Sequence, residues 1–151
     1  MALREAENPG AAMAVTIDEE YARGGALSAA ISNAVVRRTA EYTGRGPTKA
    51  RTIIRDDVVL VVLQDTLTKG ERALVSHDRS EKVIDLRSEF QGAMREDLTS
   101  DIERLTGRKV IAFMSANHIE PDLAAELFIL EALPVAASNG SISDASPAAA
   151  A

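Results

Sequence analysis

The feature that most constrains the fold is a long amphipathic segment from Ser80 to Gly107. Its apolar residues recur at steps of three or four, the spacing that lines one face of an α-helix. Ser80 can cap the first turn, and Gly107 can take the left-handed conformation that ends a helix. The pattern predicts a helix of roughly 40 Å over 80–106, longer than strands of about 20–27 Å, so one end should overhang a sheet. The predicted buried stripe consists of Val83, Leu86, Phe90, Met94, Leu98, Ile102 and Leu105.

Size and composition indicate one cytoplasmic domain. The 151 residues are 46% apolar and include no cysteine, so one core can form without disulfides or thiolate metal sites. The longest aliphatic run, Val58 to Leu63, is far shorter than the roughly 20 residues that span a bilayer. The first residues lack the basic-then-apolar order of a secretion signal. We therefore expect no transmembrane segment.

The domain boundaries follow from shifts in composition. Residues 1–23 mix small, acidic, glycine and proline residues without a sustained period, which predicts a disordered arm. Residues 133–151 are rich in alanine, serine and glycine, which predicts a disordered tail. A single α+β domain is expected over 24–132.

Within this domain the sequence predicts an alternation of helices and hairpins. A helix from Gly25 to Gly44 precedes a hairpin with strands at 49–54 and 58–63. Thr68 and Glu71 have the spacing of a capping box, which predicts a short helix over 69–76 before the long helix. A second hairpin follows, with strands at 109–116 and 123–131. The predicted fold is thus α+β, with helix, β-hairpin, short helix, long helix and β-hairpin, and an antiparallel sheet of about four strands under the helices.

The run VVLVVL at 58–63 does not alternate between apolar and polar residues, which predicts a strand buried on both faces. The runs at 110–114 and 127–129 have the same character. Helices of the chain can cover one face of such a sheet. The other face needs the first helix or a second copy of the protein, so a homodimer is expected.

Charge is unevenly distributed along the chain. The formal net charge is −6, which makes nucleic acid an improbable partner. Residues 37–55, in contrast, carry six basic residues against one acid, while 80–106 carry seven acids against four bases. This distribution predicts a basic and an acidic side. The alternative function is therefore a small-anion, nucleotide or RNA-backbone binding module that uses the stretch Arg37 to Arg55.

The loop after the first predicted helix is the first candidate site. Glycines let backbone N–H groups approach an anion, and neighbouring basic and hydroxyl side chains add charge and a donor. The loop does not have the GxxxxGK[ST] pattern of a P-loop. The alternative interpretation is a helix stop with solvated bases. The anion-binding candidates are Arg45, Gly46, Thr48, Lys49 and Arg51.

The turn between the last two predicted strands is a weaker, metal-binding candidate. His118, Glu120 and Asp122 could supply ligands for a divalent ion. The alternative is ordinary turn chemistry beside Pro121, and the spacing matches no closed metal site.

No constellation of catalytic residues emerges from the sequence. Asp56 and Asp57 are adjacent and should point apart. Ser115 and His118 lack an identifiable third group and an oxyanion loop. The sequence thus predicts neither an enzyme nor a cofactor.

Four short patterns resemble the MpsC-type family of small bacterial proteins. They are GRGP at 44–47, the aspartate pair at 56–57, the L-T-x-x-E pattern at 67–71 and L-T-G at 105–107. The resemblance covers about 27–131. The family takes its name from a sodium-translocating, membrane-potential-generating system, and its members are soluble. The resemblance implies a non-enzymatic cytosolic accessory or regulatory protein with a possible membrane-protein partner, acting by protein–protein contact through the overhanging helix and the apolar sheet face.

Overall fold

Three helices and four strands make up residues 9–134, the part of the chain that the computed structural model describes. Their order confirms the predicted α+β sequence of helix, hairpin, short helix, long helix and hairpin. The first eight residues of the predicted arm, and the predicted tail from residue 135, lie outside the described residues. The elements are α1 (Pro9–Thr43), β1 (Lys49–Arg55), β2 (Val58–Gln64), α2 (Lys69–Ser76), α3 (Ser80–Thr106), β3 (Val110–His118) and β4 (Leu123–Leu130).

The four strands form one antiparallel sheet in the order β1-β2-β4-β3. The two hairpins therefore meet at their second strands, where Val61 lies opposite Glu126. Asp56 has a φ of 53° in the β1–β2 turn, a conformation that aspartate tolerates better than most residues. This arrangement confirms the predicted antiparallel sheet and places the two aliphatic strands β2 and β4 at its centre.

Local signals fix the ends of α2 and α3. The capping box at α2 is complete, because the Thr68 hydroxyl accepts from the Glu71 N–H and the Glu71 carboxylate accepts from the Thr68 N–H. Gly107 ends α3 at a φ of 67° and donates to the Glu103 carbonyl across 2.8 Å. The predicted cap at Ser80 is wrong, since Ser80 is already helical and Arg79 occupies the cap position without a side-chain bond.

The buried stripe of α3 differs from the predicted one at its N-terminal half. Leu86 is 42% exposed, whereas Arg87 and Gln91 are buried. The two polar side chains can be buried in place of Leu86 because each has a buried hydrogen-bond partner: Glu71 on α2 for Arg87 and Glu126 on β4 for Gln91. Further along, Met94, Leu98 and Ile102 are buried as predicted.

Helix α1 begins at Pro9, not at Gly25 as predicted, so 9–23 is helical where a disordered arm was expected. Side chains from 19 to 26 are exposed, and burial begins at Ile31. A helix nucleated by packing extends at little cost, because each added residue gains one hydrogen bond without a new nucleus. The boundaries of the domain remain a prediction.

Helices α1 and α3 cover the same face of the sheet. Ile31 and Val35 of α1, and Leu98 of α3, share one core with Val61 and Phe128 of the central strands. Ser32 of α1 also bonds to Thr52 of β1 across 2.7 Å. Of the two predicted covers for the second face, α1 is thereby excluded. In residues 9–134 no helix packs on that face, which we call the outer face.

Candidate interaction surface

The outer face is a regular grid of four side chains on each of four strands. The strand register places Ile53, Leu60, Leu127 and Met114 in one row, directly opposite one another. The neighbouring rows are also apolar on β2, β4 and β3, and each strand alternates between this face and the core. The full set is Lys49, Arg51, Ile53, Arg55, Val58, Leu60, Val62, Gln64, Leu123, Ala125, Leu127, Ile129, Ala112, Met114, Ala116 and His118.

The edges of this face are open to water, while its centre is half-buried by neighbouring side chains. Ile53 on β1 is 44% exposed and Met114 on β3 is 50% exposed, whereas Leu60 and Leu127 are half-buried. Four strands spaced by about 4.8 Å and seven residues long give the face about 400 Å². Eleven of its sixteen side chains are apolar and contiguous, and the largest exposed apolar patch of a single chain is often functional.

The β1 edge of the outer face carries its charge. Lys49, Arg51 and Arg55 are exposed on this edge, and within residues 9–134 none of the three forms an ion pair. The other three strands contribute almost exclusively apolar side chains to the same face. The outer face is therefore apolar on β2, β4 and β3 and basic along the β1 edge, which we call the basic border.

Arg45, the central residue of the predicted anion site, binds the protein itself. Its guanidinium donates to the carbonyls of Asp65 and Leu67 across 2.7 and 2.9 Å, and to the Asp65 carboxylate across 2.8 Å. This bond, with help from Thr48 and Arg72, holds the pKa of Asp65 below its ordinary value. Arg45 thus fastens the loop to the end of β2.

The other candidates of that loop have different surroundings. A Cβ on Gly46 would lie 3.4 Å from the Val36 Cγ1 atom, so the glycine allows the loop to approach α1. The Thr48 N–H donates to the Gln64 carbonyl across 3.2 Å. Lys49 and Arg51 belong to the outer face. Of the five predicted residues, Arg45 and Thr48 therefore meet at Asp65, whereas Lys49 and Arg51 lie on the outer face.

The three predicted metal ligands serve the turn before β4. His118 Nδ1 lies 2.8 Å from the Pro121 carbonyl, and Glu120 is exposed. Asp122 accepts from the Thr66 hydroxyl and the Leu67 N–H across 2.8 and 2.9 Å, which joins this turn to the end of β2. Within the described residues no group of three or more histidine, aspartate or glutamate side chains could hold a metal ion.

The predicted basic and acidic sides meet at the contact between α1 and α3. Arg38 donates to Asp101 across 2.7 Å and lies 3.8 Å from Asp97, and Tyr42 donates to Asp97 across 2.8 Å. The Arg38 hydrogen bond holds the pKa of Asp101 below its ordinary value. Much of the charge asymmetry of the sequence is therefore neutralised inside the domain.

A comparison with protein-family models identifies the family of this chain. The model described as "Na+-translocating membrane potential-generating system (MpsC)" matches residues 23–132. The chain belongs to the MpsC family. No curated protein and no solved structure matches it. Across residues 9–134, none of the helices has the length and apolar character that crossing a bilayer requires.

The core of this MpsC-family chain also contains a polar cluster that sequence reasoning missed. Glu126 on β4 is 2% exposed, accepts from Ser115 on β3, and accepts from Gln91 Nε2 across 3.2 Å. Gln91 and Asn117 form a reciprocal amide pair, with bonds of 3.1 and 2.9 Å. Burial raises the pKa of Glu126 to about 7. A single acid inside the apolar run LAAELFIL was the signal that could have revealed it.

A buried ion pair adjoins this cluster in the MpsC-family domain. Arg87 Nη2 donates to the Glu71 carboxylate and to the Thr66 carbonyl across 2.8 and 2.7 Å. Thr66 in turn donates to Asp122. This chain of contacts ties α2, α3 and the last turn to the sheet, which is a structural role.

Proposed function

We propose that this protein is a non-enzymatic, homodimeric accessory or regulatory protein that acts by protein–protein contact through the outer face. Its partner is a component of the membrane system named in the family description. The observation that carries the proposal is the uncovered row of Ile53, Leu60, Leu127 and Met114. Such a row contacts water in the described chain, and a partner that covers it recovers the free energy of burial.

The size of the outer face supports a regulatory contact. A stable protein interface needs about 800 Å² on each partner, whereas this face offers about 400 Å². Areas at this low end are typical of transient signalling complexes. A partner that binds and leaves fits an accessory role.

The basic border defines the chemistry of that partner. Lys49, Arg51 and Arg55 lie along one side of the apolar rows. Complementary charge steers association and fixes orientation. The partner segment is therefore apolar at its centre and acidic at one flank, and the proposal places this contact at the cytoplasmic side of the membrane system.

The alternative of a small-anion, nucleotide or RNA-backbone binder has less support. Arg37 and Arg38 face the carboxylates of α3, and Arg45 is bound to Asp65. The remaining bases border a face without aromatic side chains, on which bases could otherwise stack.

Complementation of a strain that lacks this protein tests the proposed role. Ile53→Asp places an acid on the outer face, and Leu86→Asp places one on α3 at nearly the same exposure, 44% against 42%. We expect wild type and Leu86→Asp to restore the membrane potential reported by a voltage-sensitive dye, and Ile53→Asp to fail. A deletion strain with an unchanged potential would contradict the link to the membrane system.

Two binding assays separate the other classes of function. A thermal-shift screen with nucleotides, phosphate and bicarbonate should show no stabilisation, and a salt-sensitive shift that Arg51→Ala removes would favour the anion-binding alternative. Flotation with vesicles containing anionic phosphatidylserine should leave the protein unbound. If the protein instead floats with the vesicles and Ile53→Asp abolishes this binding, the outer face binds a lipid surface and not a protein.

A further inference from the structure

The two edge strands of the sheet differ in charge. On β1, three of the seven residues are exposed bases, Lys49, Arg51 and Arg55, together with a fourth exposed side chain, Ile53. On β3, the eight residues before His118 include no charged side chain. Charged side chains on an edge strand discourage pairing with another chain, and an uncharged edge permits it. The β3 edge is thus open to strand addition from Ala112 to His118, beyond its bulge, whereas the β1 edge is protected by charge.

The hydrogen-bond pattern identifies which groups of β3 are free. The Leu130 N–H donates to the Asp57 carbonyl, so the backbone groups of Leu130 point toward β2. Successive residues of a strand direct their backbone N–H and C=O groups to opposite sides, so those of Ile129 point toward β3. Ile129 lies opposite Ala112, and the alternation continues along β3. The residues of β3 whose backbone N–H and C=O groups point away from β4 are therefore Phe113, Ser115 and Asn117.

We propose that a second copy of this chain pairs antiparallel with the β3 edge, with Ser115 of each copy opposite Ser115 of the other. In this register Phe113 lies opposite Asn117 of the second copy, and the reverse. Three hydrogen-bonded pairs then use all of the outward groups, giving about six backbone hydrogen bonds. The irregularity between Val110 and Ala112 ends the paired segment at one side.

The side chains fit this twofold pairing. On the outer face, Met114 lies opposite Ala116 of the second copy, which joins a large side chain to a small one. Ala112 lies opposite His118, so no two like charges meet. Self-pairing of β1 would bring bases against bases, for example Lys49 opposite Arg55 when Thr52 lies at the centre, which is unfavourable.

A groove in the helix layer lies beside the centre of the proposed pairing. A groove of about 190 Å³ between α3 and β3 is lined by Ser115 and by Gly92, which has no side chain to block a neighbour. Arg95 lines the same groove, with its guanidinium carbon 5.2 Å from the centre of the Phe113 ring.

The pairing has a consequence for the outer face. Two four-stranded sheets become one sheet of eight strands, and the apolar rows of both copies run on without a break. The combined face has about 800 Å², twice the area of one copy. The inference rests on the proposed function in taking a second copy as partner, and it locates that copy at the edge so that the face stays free.

Two double variants at the same sites test this register. In the proposed register residue 114 of each copy lies opposite residue 116 of the other. Met114→Lys/Ala116→Lys therefore places lysine opposite lysine in these two pairs, whereas Met114→Lys/Ala116→Glu places lysine opposite glutamate. Both sites are exposed, so circular dichroism should show a folded domain in each case. By sedimentation equilibrium we expect dimers for wild type and the Lys/Glu variant. The Lys/Lys variant should be monomeric at the same concentration, with a dissociation constant raised at least tenfold.

The outcomes separate this inference from the proposed homodimer. A Lys/Lys variant that dimerises like wild type would show that the copies meet elsewhere, which overturns the edge pairing and leaves a homodimer standing. A Lys/Glu variant that is monomeric would overturn the register. A monomeric wild-type protein would overturn both the edge pairing and the proposed homodimer.

Discussion

The guanidinium of Arg87 and the carboxylate of Glu71 form an ion pair of 2.8 Å with only 8% and 4% of the side chains exposed. Removal of one partner leaves the other charge buried without compensation. We therefore expect Arg87→Ala to lower the free energy of unfolding by about 3–5 kcal/mol, measured by urea denaturation. The double variant Arg87→Met/Glu71→Gln should recover much of this loss, because no buried charge remains at the pair and the glutamine can still accept from the Thr68 N–H. A single variant within 1 kcal/mol of wild type would contradict a structural role.

A second prediction concerns the buried carboxyl of Glu126. Burial raises its pKa to about 7, so between pH 4.5 and 7 the folded state keeps a proton that the unfolded state releases. Stability is therefore lost as the pH rises through this range, by about 2 to 3 kcal/mol between pH 5 and pH 8. Glu126→Gln should remove this loss, because the amide stays neutral and can still accept from Ser115.

The measurement is urea denaturation of both proteins at pH 5 and pH 8. The difference between them isolates Glu126 from the carboxyls of Asp65 and Asp101, whose lowered pKa values act at more acidic pH. Parallel stability profiles for wild type and Glu126→Gln would show that this carboxyl titrates normally in the fold.

The sequence predicts most elements of this fold, because periodicity and end signals act over short distances. Leu98 and Ile102 were assigned to the core by helical spacing alone, and Gly107 ends α3 where its backbone freedom indicated. Arg87 and Gln91 were missed, because the groups that compensate their burial are distant in sequence. Gln91 is 35 residues from Glu126, and no local pattern encodes that contact.

The candidate site shows the same limit. The unbroken run at 58–63 predicted burial on both faces of β2, but only its core-facing residues Val59, Val61 and Leu63 are buried. The same prediction for 110–114 is wrong, because only Phe113 is buried there. Neither run indicates which face the helices cover. That choice depends on α1 and α3 packing together through Arg38 and Asp101. Arg45 was predicted to bind an anion because the sequence does not show that its guanidinium is already paired with the Asp65 carboxylate.

The revised stripe of α3 gives a third prediction. Leu98 is 1% exposed in the core, whereas Leu86, on the same helix, is 42% exposed. Leu98→Ala should cost about 2–5 kcal/mol through lost burial and the remaining cavity. Leu86→Ala should stay within about 0.5 kcal/mol of wild type, because an exposed site leaves no cavity. Guanidinium denaturation of both variants measures their free energies of unfolding. Equal losses for the two would show that Leu86 is part of the core.

Two glycines, one within α3 and one directly after it, give opposite expectations for the same substitution. Gly107 has a φ of 67°, which strains any side chain, so Gly107→Ala should lower the free energy of unfolding by about 1 kcal/mol. Gly92 lies within the helix, and a Cβ there meets nothing within 4 Å, so Gly92→Ala should raise it by about 0.5–1 kcal/mol. Urea denaturation measures both, with wild type as reference. A Gly107→Ala variant as stable as wild type would mean that α3 ends without the left-handed residue.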